Sequence, residues 1–325
     1  MAGRARAFRV EAPGRAGIVE VALPEPGPGD VVVRTLHSAV SRGTETLVFR
    51  GEVPASQYDR MRAPFQAGDL PGPVVYGYLS VGVVEEGPGS GRTVFCLHPH
   101  QDRFVVPADA VVAVPAEVPP ARAVLAGTVE TAVNALWDAA PRVGDRVAVV
   151  GAGMVGASVA AVLASFPGVR VELVDVDTSR RAVADALGVG FATPDEAAGE
   201  CDLVLHASAS EAGLARSLEL LGDEGEVVEL SWYGERAPRV PLGEAFHSRR
   251  LAVRASQVGR VAPARRARWS TTDRLALALR LLADPRFDAL ITDSCTFDEL
   301  PDVMAALAAG DRPGLAVRVD HRVGH

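Results

Sequence analysis

The stretch that most constrains the fold is 146–156, RVAVVGAGMVG, where an aliphatic run leads directly into three spaced glycines. Gly151 would let the chain turn sharply off a strand, Gly153 would leave room beside the backbone, and Gly156 would let a new helix pack closely. The free N–H groups at the start of such a helix favour negative charge. The order of strand, glycine turn and helix predicts a βαβ unit that binds the diphosphate of a dinucleotide.

An acidic residue closes the next aliphatic run, VELVDVD, at Asp175. Its carboxylate would accept both hydroxyl groups of an adenosine ribose and would repel a 2′-phosphate. NAD(H) is therefore predicted over NADP(H), although Arg180 follows closely and is the residue type that favours NADP(H). Met154 and Val155, in the first helical turn, are predicted to lie at the diphosphate.

Length and charge exclude several classes of protein. A chain of 325 residues with 48% hydrophobic composition can bury a full core and suggests about two domains. The net charge of −8 argues against nucleic acid or an anionic membrane as the main partner. Glycines and a proline interrupt the uncharged run 147–169, so we expect strand, turn and helix there and no membrane span.

Cysteine usage and the N-terminal segment both indicate the cytoplasm. The three cysteines are isolated and show no spacing typical of a disulfide framework or a four-thiolate zinc site. The segment MAGRARAFRVEAPGR has no apolar core of secretory length. We therefore expect a cytoplasmic protein whose partner is a small-molecule substrate.

The pattern of the chain changes near Pro119. Before it, short strands separated by Pro and Gly clusters predict a β-rich, barrel-like domain. After it, a helical stretch is followed by strands that alternate with helices, which predicts a parallel, doubly wound sheet. The predicted fold class is α/β, with residues 1–124 and 258–325 in the β-rich domain and 125–257 in the dinucleotide-binding domain.

Five stretches resemble the medium-chain dehydrogenase/reductase superfamily across essentially the whole chain: EVALPEPGPGDVVVRTLHSAVSRGTE, YGYLSVGVVEEG, RFVVPADAVVAVP, GDRVAVVGAGMVG and ALITDSCTFDELPDVMAAL. Within it, SRGTET, VVYGYLSVGVVEEG and VFCLHPHQDRFVVP are similar to a zinc-lacking branch that includes bacteriochlorophyllide hydroxyethyl dehydrogenases. The resemblance implies a GroES-like catalytic domain, a Rossmann domain, NAD(P)-dependent hydride transfer, and a homodimer formed at the edge of the Rossmann sheet.

The resemblance also implies where a catalytic zinc would bind. Zinc-dependent members use a cysteine in a G-x-C-G-T-D-like motif, a histidine in G-H-E, and a third Cys or Glu. Here Ser41 stands near the first position with an offset of one residue, and Tyr78 stands at the second. Gly127 stands at the third, with Glu130 close by. Because a hydroxyl and a phenol are poor replacements for thiolate and imidazole, we predict no zinc.

A competing metal site is suggested by Cys96, His98 and His100, which alternate in sequence. A strand would place all three on one face. Pro99 interrupts that strand and no fourth ligand is apparent, so a strand end that carries polar side chains is favoured.

Without zinc, hydride transfer to a carbonyl still needs a group that stabilises charge on oxygen and exchanges a proton. Tyr78 is the first candidate, and Ser41 and Thr44 come second, on a loop that lines the substrate site in relatives. The alternatives are a buried ring for Tyr78 and local capping for Ser41 and Thr44. His37, on a predicted strand, is expected to be structural.

Two loops after predicted Rossmann strands should face the nicotinamide, because ligands of open α/β sheets bind at the carboxyl ends of the strands. They are His206-Ala207-Ser208 after DLVL and Ser231-Trp232-Tyr233-Gly234 after GEVVEL. Trp232 could instead belong to a core or an interface. The resemblance adds Ser256, which follows the last Rossmann strand.

The leading hypothesis is a zinc-independent NAD(H) oxidoreductase that acts on a secondary alcohol or ketone of a bulky, ring-bearing substrate. Three alternatives stay open. They are an NAD(P)H-dependent enone (C=C) reductase, a methyltransferase that uses S-adenosylmethionine, and a catalytically silent nucleotide-binding protein.

Overall fold

The computed structural model describes residues 3–321, which form two compact units. Of these residues, unit 1 comprises 3–127 and 291–321, and unit 2 comprises Thr128–Leu290. The first crossing lies close to the expected boundary at 124. The return to unit 1 lies at Ile291, whereas the sequence predicted it at 258.

A buried ion pair explains why the segment after 258 belongs to unit 2. The Arg274 guanidinium donates to Glu130 at 3.0 Å and also to Asn134, and it donates to the Val258 and Arg260 carbonyls. Arg274 is 1% exposed and Glu130 4%. These bonds fix the segment and its helix to the rest of unit 2, because breaking a buried pair leaves an uncompensated charge.

The first part of unit 1 is rich in short strands. They are β1 (Arg4–Ala12), β2 (Arg15–Ala22), β3 (Asp30–Val40), β4 (Ala67–Gly68), β5 (Val74–Val75), β6 (Ser80–Glu86), β7 (Thr93–Cys96), β8 (Arg103–Pro107) and β9 (Val111–Ala113). Two helices accompany them, α1 (Arg42–Arg50) and α2 (Pro120–Ala123). The expectation of a β-rich first domain is confirmed.

Unit 2 alternates strands with helices. Its strands are β10 (Arg146–Val150), β11 (Arg170–Val174), β12 (Gly190–Ala192), β13 (Cys201–His206), β14 (Leu221–Glu229) and β15 (Ala252–Ala255). Its helices are α3 (Ala126–Ala139), which begins just before the unit boundary, α4 (Met154–Leu163), α5 (Arg181–Leu187), α6 (Glu211–Glu219), α7 (Ala245–Ser248) and α8 (Thr271–Leu281).

The unit 2 sheet is entirely parallel and has the order β12-β11-β10-β13-β14-β15. This is the doubly wound arrangement of a Rossmann domain, in which strand order reverses between β10 and β13, the first and fourth strands of this sheet in chain order. Apolar side chains on both faces of the sheet, such as Val149 and Val204, are fully buried. The predicted α/β fold class with a Rossmann sheet is confirmed.

The chain then returns to unit 1 with β16 (Ile291–Thr296), α9 (Leu300–Ala309) and β17 (Ala316–Asp320). Both strands join the larger unit 1 sheet, of order β16-β17-β3-β6-β7-β9, in which β8 also pairs with β3. A smaller sheet has the order β2-β1-β5-β4. Within residues 3–321, none of the helices is both long and apolar enough to cross a membrane.

Candidate functional site

The glycine turn of unit 2 has the geometry that its sequence predicts. Gly151 adopts a φ of 102°, and a Cβ there would lie 2.6 Å from the Ser208 backbone nitrogen. A Cβ at Gly156 would lie 1.9 Å from the Gly151 carbonyl oxygen. A Cβ at Gly153 would meet nothing within 4 Å. Two of the glycines therefore allow close packing, and the third leaves space beside the turn.

Helix α4 begins directly after this open position, with Gly153 as its N-cap. Met154 is buried and Val155 is half-buried in the first turn. Because the first backbone N–H groups of a helix lack partners within the helix, these two residues can offer N–H donors to an anion in the open space.

Asp175 follows β11 and reaches the glycine turn. One carboxylate oxygen accepts the Ala152 N–H at 2.6 Å, and the other accepts the Asp177 N–H at 2.9 Å. Each oxygen keeps a second lone pair that can accept a hydroxyl group. Arg180 bridges to Asp177 at 3.2 Å. The residue that would favour NADP(H) is thus paired with a carboxylate.

The other predicted cofactor residues lie after β13, β14 and β15. Ser208 and Ser231 belong to one hydrogen-bonded group, in which the Ser231 hydroxyl accepts the Ala209 N–H at 3.0 Å. Trp232 is half-buried. Ser256 donates its hydroxyl to Asp138 at 2.6 Å, so this hydroxyl is engaged with α3.

A buried histidine links the ends of β13 and β14. The sequence placed His206 in a loop that faces the nicotinamide, and its contact with Glu229 was not predicted. His206 Nδ1 lies 2.7 Å from Glu229 Oε2, and His206 Nε2 lies 2.6 Å from Ser208 Oγ. Glu229 also accepts the Ser231 N–H at 2.7 Å and the Tyr233 hydroxyl at 3.1 Å. Burial favours a higher pKa for Glu229, but the hydrogen bond and charge of His206 and the Ser231 bonds hold it below the ordinary value.

The three predicted catalytic hydroxyl groups lie together in unit 1. Tyr78 donates to Ser41 Oγ at 2.6 Å, and Thr44 also hydrogen-bonds the Tyr78 phenol. Burial, with the negative charge of Glu45, raises the pKa of Tyr78 to about 12, although Ser41 and Thr44 oppose the rise. The phenol therefore stays protonated near neutral pH. All three hydroxyl-bearing residues are half-buried.

The segment that carries Ser41 and Thr44 was expected to be a loop, and this is wrong. Ser41 occupies the N-cap position of α1, and Thr44 lies in its first turn. The helix forms because Glu45 accepts the Ser41 N–H at 2.7 Å and satisfies a donor at the N-terminus. The Ser41 hydroxyl makes no capping bond and pairs with Tyr78 instead.

Glu45 is a further buried residue that the sequence reasoning missed. Its second oxygen lies 2.8 Å from His100 Nε2, and His100 Nδ1 lies 2.8 Å from Ser38 Oγ. Ser38 Oγ lies 3.0 Å from His321 Nε2. The available sign of these hydrogen-bonded residues in the sequence was an acidic residue inside the SRGTET motif, followed by a buried helix.

The positions implied for zinc ligands do not form a ligand set. Ser41 Oγ and Tyr78 Oη lie 2.6 Å apart, whereas two tetrahedral zinc ligands lie roughly 3.3 Å apart. At Gly127, a Cβ would meet a Leu79 methyl carbon at 2.5 Å. Glu130 is committed to Arg274 at 2.9 Å. Within residues 3–321 no three His, Cys, Asp or Glu side chains form a group that could hold a metal.

The alternative triad of Cys96, His98 and His100 is not assembled. Strand β7 ends at Cys96, so the two histidines lie beyond it. Cys96 contacts the Ala110 carbonyl, and His98 stacks on Phe104 with ring centroids 3.9 Å apart. Burial lowers the pKa of His98 to about 4. His37, as expected for a structural histidine, lies on β3 and pairs with Asp320 at 2.7 Å.

Sequence comparisons match parts of the chain. A family model described as 3-hydroxyacyl-CoA dehydrogenase, NAD binding domain, matches residues 146–211, which include the glycine turn and Asp175. The 2-desacetyl-2-hydroxyethyl bacteriochlorophyllide A dehydrogenase of Cereibacter sphaeroides is 37% identical over 89 residues. That alignment covers 27% of this chain and spans only 24% of the relative's length.

Solved structures match nearly the whole chain at low identity. A structure assigned as a zinc-binding dehydrogenase of Sinorhizobium meliloti 1021, bound to NADP, is 18% identical with a TM-score of 0.78, over 98% of this chain and 99% of that chain. A short chain alcohol dehydrogenase of E. coli CFT073, complexed with NADH, is 17% identical with a TM-score of 0.77 over the same shares. The L-idonate 5-dehydrogenase of Escherichia coli K-12 is 15% identical with a TM-score of 0.79, again over 98% and 99%. This chain has the fold of these dehydrogenases.

Proposed function

We propose that this protein is an NAD(H)-dependent oxidoreductase that interconverts a secondary alcohol and a ketone without zinc. The observation that carries the proposal is the hydrogen bond of 2.6 Å between Tyr78 and Ser41. These are the two positions that stand near the metal ligands of zinc-dependent dehydrogenases, and here they hold each other.

The chain's own residues fit a dinucleotide. Gly151 makes the turn, the space at Gly153 admits a diphosphate, and the N–H groups of Met154 and Val155 can hold it. Asp175 accepts the ribose hydroxyls, and its charge favours NAD(H) over NADP(H). When bound, NAD(H) supplies the hydride acceptor or donor.

The hydroxyl cluster of unit 1 manages the proton. Tyr78 donates to Ser41, so the Ser41 hydrogen is free to point at a substrate oxygen, and Thr44 adds a further hydroxyl. When a ketone is reduced, Ser41 gives its proton to the developing alkoxide and takes one from Tyr78, while Tyr78 takes one from the Thr44 hydroxyl and Thr44 takes one from solvent, so that each hydroxyl loses one proton and gains one. When an alcohol is oxidised, the proton moves in the opposite sense. General acid–base catalysis of this kind contributes about 10²–10⁴-fold to a rate.

Substrate, assembly and location are further parts of the proposal. The partial similarity to a bacteriochlorophyllide dehydrogenase supports a bulky, ring-bearing substrate. A homodimer is supported by β15, which forms an edge of the parallel sheet and is exposed along its whole length. A cytoplasmic location is supported by the three free cysteines.

The decisive experiment removes single hydroxyl groups. Tyr78→Phe should lower kcat for ketone reduction by about 10²-fold, and Ser41→Ala should lower it comparably, because both interrupt the same proton path. Tyr76→Phe is the matched control, because its ring lies 6.2 Å from that of Tyr78 and the change keeps the ring. The measurement is steady-state NADH oxidation with product analysis, which also separates C=O from C=C reduction. Normal turnover in Tyr78→Phe, or one zinc per chain in the purified protein, would contradict the proposal.

A further inference from the structure

Phe65 is a large apolar side chain that unit 1 leaves in contact with solvent. It is 42% exposed and lies in the segment between α1 and β4. Within residues 3–321, the other phenylalanines of unit 1 are at most 5% exposed. A single exposed apolar residue is common in proteins and has no meaning by itself. The backbone and the neighbours of Phe65 distinguish it from such a residue.

The backbone at Phe65 has a conformation that favours glycine. Its φ is 56°, and the Gln66 N–H donates to the Ala63 carbonyl at 3.2 Å. These four residues form a β-turn with Pro64 at the second position and Phe65 at the third. A third position with positive φ is normally occupied by glycine or asparagine, and a bulky side chain there is disfavoured. The sequence therefore keeps an aromatic ring where local folding favours a residue without one.

Other side chains hold this turn in place. Gln66 is 7% exposed, its amide oxygen accepts the Ala63 N–H at 3.2 Å, and its amide nitrogen donates to the Gly68 carbonyl at 3.1 Å. The Arg62 guanidinium donates to the Gln66 carbonyl at 3.2 Å. None of these bonds uses the Phe65 ring. Disfavoured backbone conformations persist where the surrounding structure fixes them, and they are concentrated at ligand-binding sites.

The Phe65 ring is the outermost of three stacked rings. Its centroid lies 5.6 Å from that of His98 with 25° between the planes, and His98 stacks on Phe104 at 3.9 Å and 8°. His98 is 6% exposed and Phe104 1%. Because burial lowers the pKa of His98 to about 4, its imidazole is neutral near neutral pH. The exposed ring therefore rests on a buried, uncharged base and can accept a further ring by offset stacking.

The stacked rings lie beside the hydroxyl cluster of unit 1. Strands β4 and β5 pair in antiparallel fashion. Phe65 comes two residues before β4 and Tyr78 comes three residues after β5, so both lie beyond the same end of this pair. The Ser80 hydroxyl, two residues beyond Tyr78, donates to the His98 carbonyl at 2.9 Å. A substrate whose oxygen meets the hydroxyl of Ser41 therefore has an aromatic surface close by.

We propose that Phe65 determines substrate specificity, because its ring stacks on the substrate and selects a planar, conjugated ring over a saturated ring of the same size. The Phe65 side chain has no charge and no hydrogen-bonding group, so it distinguishes ligands by shape and by the stacking of π-systems. A saturated ring is puckered and brings fewer atoms into contact with an aromatic face. The inference rests on the proposed function for the reacting ketone and adds that the attached ring is planar.

The test compares benzylacetone with its ring-hydrogenated counterpart, two methyl ketones that differ only in the planarity of the ring. Phe65→Leu should raise KM for benzylacetone roughly tenfold, because it removes one stacking interaction. It should change KM for the hydrogenated ketone by less than about twofold, since the leucine keeps an apolar surface. kcat should stay unchanged for both ketones, because Tyr78 and Ser41 are intact. Phe65→Tyr, which keeps the ring, should retain the preference for benzylacetone.

Two further variants separate recognition from folding. Phe65→Gly should be at least as resistant to urea as Phe65→Leu, because glycine adopts positive φ without strain, yet it should lose the preference for benzylacetone. Tyr58→Leu is the matched control, since Tyr58 is the other aromatic residue between α1 and β4 and is half-buried. This variant should keep the preference.

Calorimetric titration with each ketone in the absence of nucleotide measures the same preference without turnover. Benzylacetone should bind the unmodified protein more tightly than the hydrogenated ketone, and Phe65→Leu should remove the difference. Equal affinity of the two ketones for the unmodified protein, or an unchanged preference in Phe65→Leu, would overturn the inference. If the unmodified protein bound benzylacetone preferentially through Phe65 but reduced neither ketone with NADH, the inference would stand and the proposed function would be contradicted.

Discussion

Each unit of the molecule contains a hydrogen-bonded chain of a carboxylate, an imidazole and a serine hydroxyl. The two hydrogen-bonded chains differ in their exposure to solvent. In unit 1, Glu45, His100 and Ser38 are joined by contacts of 2.8 Å and are at most 3% exposed. In unit 2, the carboxylate–imidazole and imidazole–hydroxyl contacts are 2.7 and 2.6 Å, but the hydroxyl belongs to half-buried Ser208. The two chains therefore have the same chemistry and differ in the burial of the hydroxyl at their end.

The sealed chain supports the site that it lies beneath. Glu45 uses one oxygen for His100 and the other for the Ser41 N–H, so it fixes the residue that holds Tyr78. Its negative charge also helps to keep the phenol protonated. A sealed chain is suited to this task, because water would weaken both the hydrogen bonds and the electrostatic effect.

The largest expected effect is on the free energy of unfolding when the histidine of each hydrogen-bonded chain is removed. His100→Ala should lower the free energy of unfolding by about 3–5 kcal/mol, because it leaves Glu45 buried without its partner. His206→Ala should cost less, about 1–3 kcal/mol, because Glu229 keeps the Ser231 and Tyr233 donors. Urea denaturation followed by far-UV circular dichroism measures both.

The chain contains its own reporter for this experiment. All three tryptophans, Trp137, Trp232 and Trp269, belong to unit 2. Tryptophan fluorescence therefore follows unit 2, while circular dichroism follows both units. Equal losses of stability in the two variants would contradict the distinction between a sealed and an open chain.

The second prediction concerns His98, a buried histidine of unit 1. Burial lowers the pKa of His98 to about 4, whereas an unfolded chain has a pKa of about 6.5. The unfolded state therefore binds more protons between these values, and stability is present above pH 6.5 and is lost as the pH falls toward 4. The contribution of His98 is about 3 kcal/mol over this range.

The measurement is the slope of unfolding free energy against pH. His98→Gln should flatten the slope between pH 6.5 and 4, whatever it does to stability at pH 8 through the lost stacking on Phe104. His37→Gln serves as the comparison, since His37 is only partly buried and pairs with Asp320. A slope unchanged by His98→Gln would mean that His98 becomes protonated in the folded protein.

Local patterns were predictable from sequence, and long-range polar contacts were not. The glycine turn, its strand β10 and the start of α4 lie within eleven consecutive residues, and Asp175 directly follows the next strand, so spacing alone places them. His206 and Glu229 meet only because β13 and β14 pair in parallel with these residues in register. The sign in the sequence was a polar residue at the last position of each strand, His206 after LVL and Glu229 after VV.

Unit 1 shows the same limit. The approach of Tyr78 to Ser41 followed from the resemblance to a family, since 37 residues separate them. The Glu45 contact to His100 spans 55 residues and depends on how a helix and a loop pack. The return at Ile291 could not be predicted, because it depends on one buried arginine, Arg274, whose side-chain partners Glu130 and Asn134 lie more than 100 residues away.

The third prediction tests the predicted dinucleotide site at the glycine turn of unit 2. Asp175→Ala should weaken NADH binding by about 1–3 kcal/mol, because it removes a charged hydrogen-bond acceptor, and it should narrow the preference over NADPH. Glu172→Gln is the matched control: it lies on the same strand, and its carboxylate accepts the Ala198 N–H. Titration by NADH fluorescence measures both. Unchanged affinity in Asp175→Ala would place the ribose elsewhere.

The smallest expected effect compares an open with a filled glycine position. Gly153→Ala should change the free energy of unfolding by less than about 0.5 kcal/mol, because its Cβ meets no atom within 4 Å. It should nevertheless weaken NADH binding by about 1 kcal/mol, because the methyl group enters the space left for the diphosphate. Gly156→Ala should instead change the free energy of unfolding more than it changes NADH binding. Its Cβ would lie 1.9 Å from a carbonyl oxygen, so the turn must move before any ligand is present. If Gly153→Ala bound NADH as tightly as the unmodified protein, the space beside the turn would have no part in nucleotide binding.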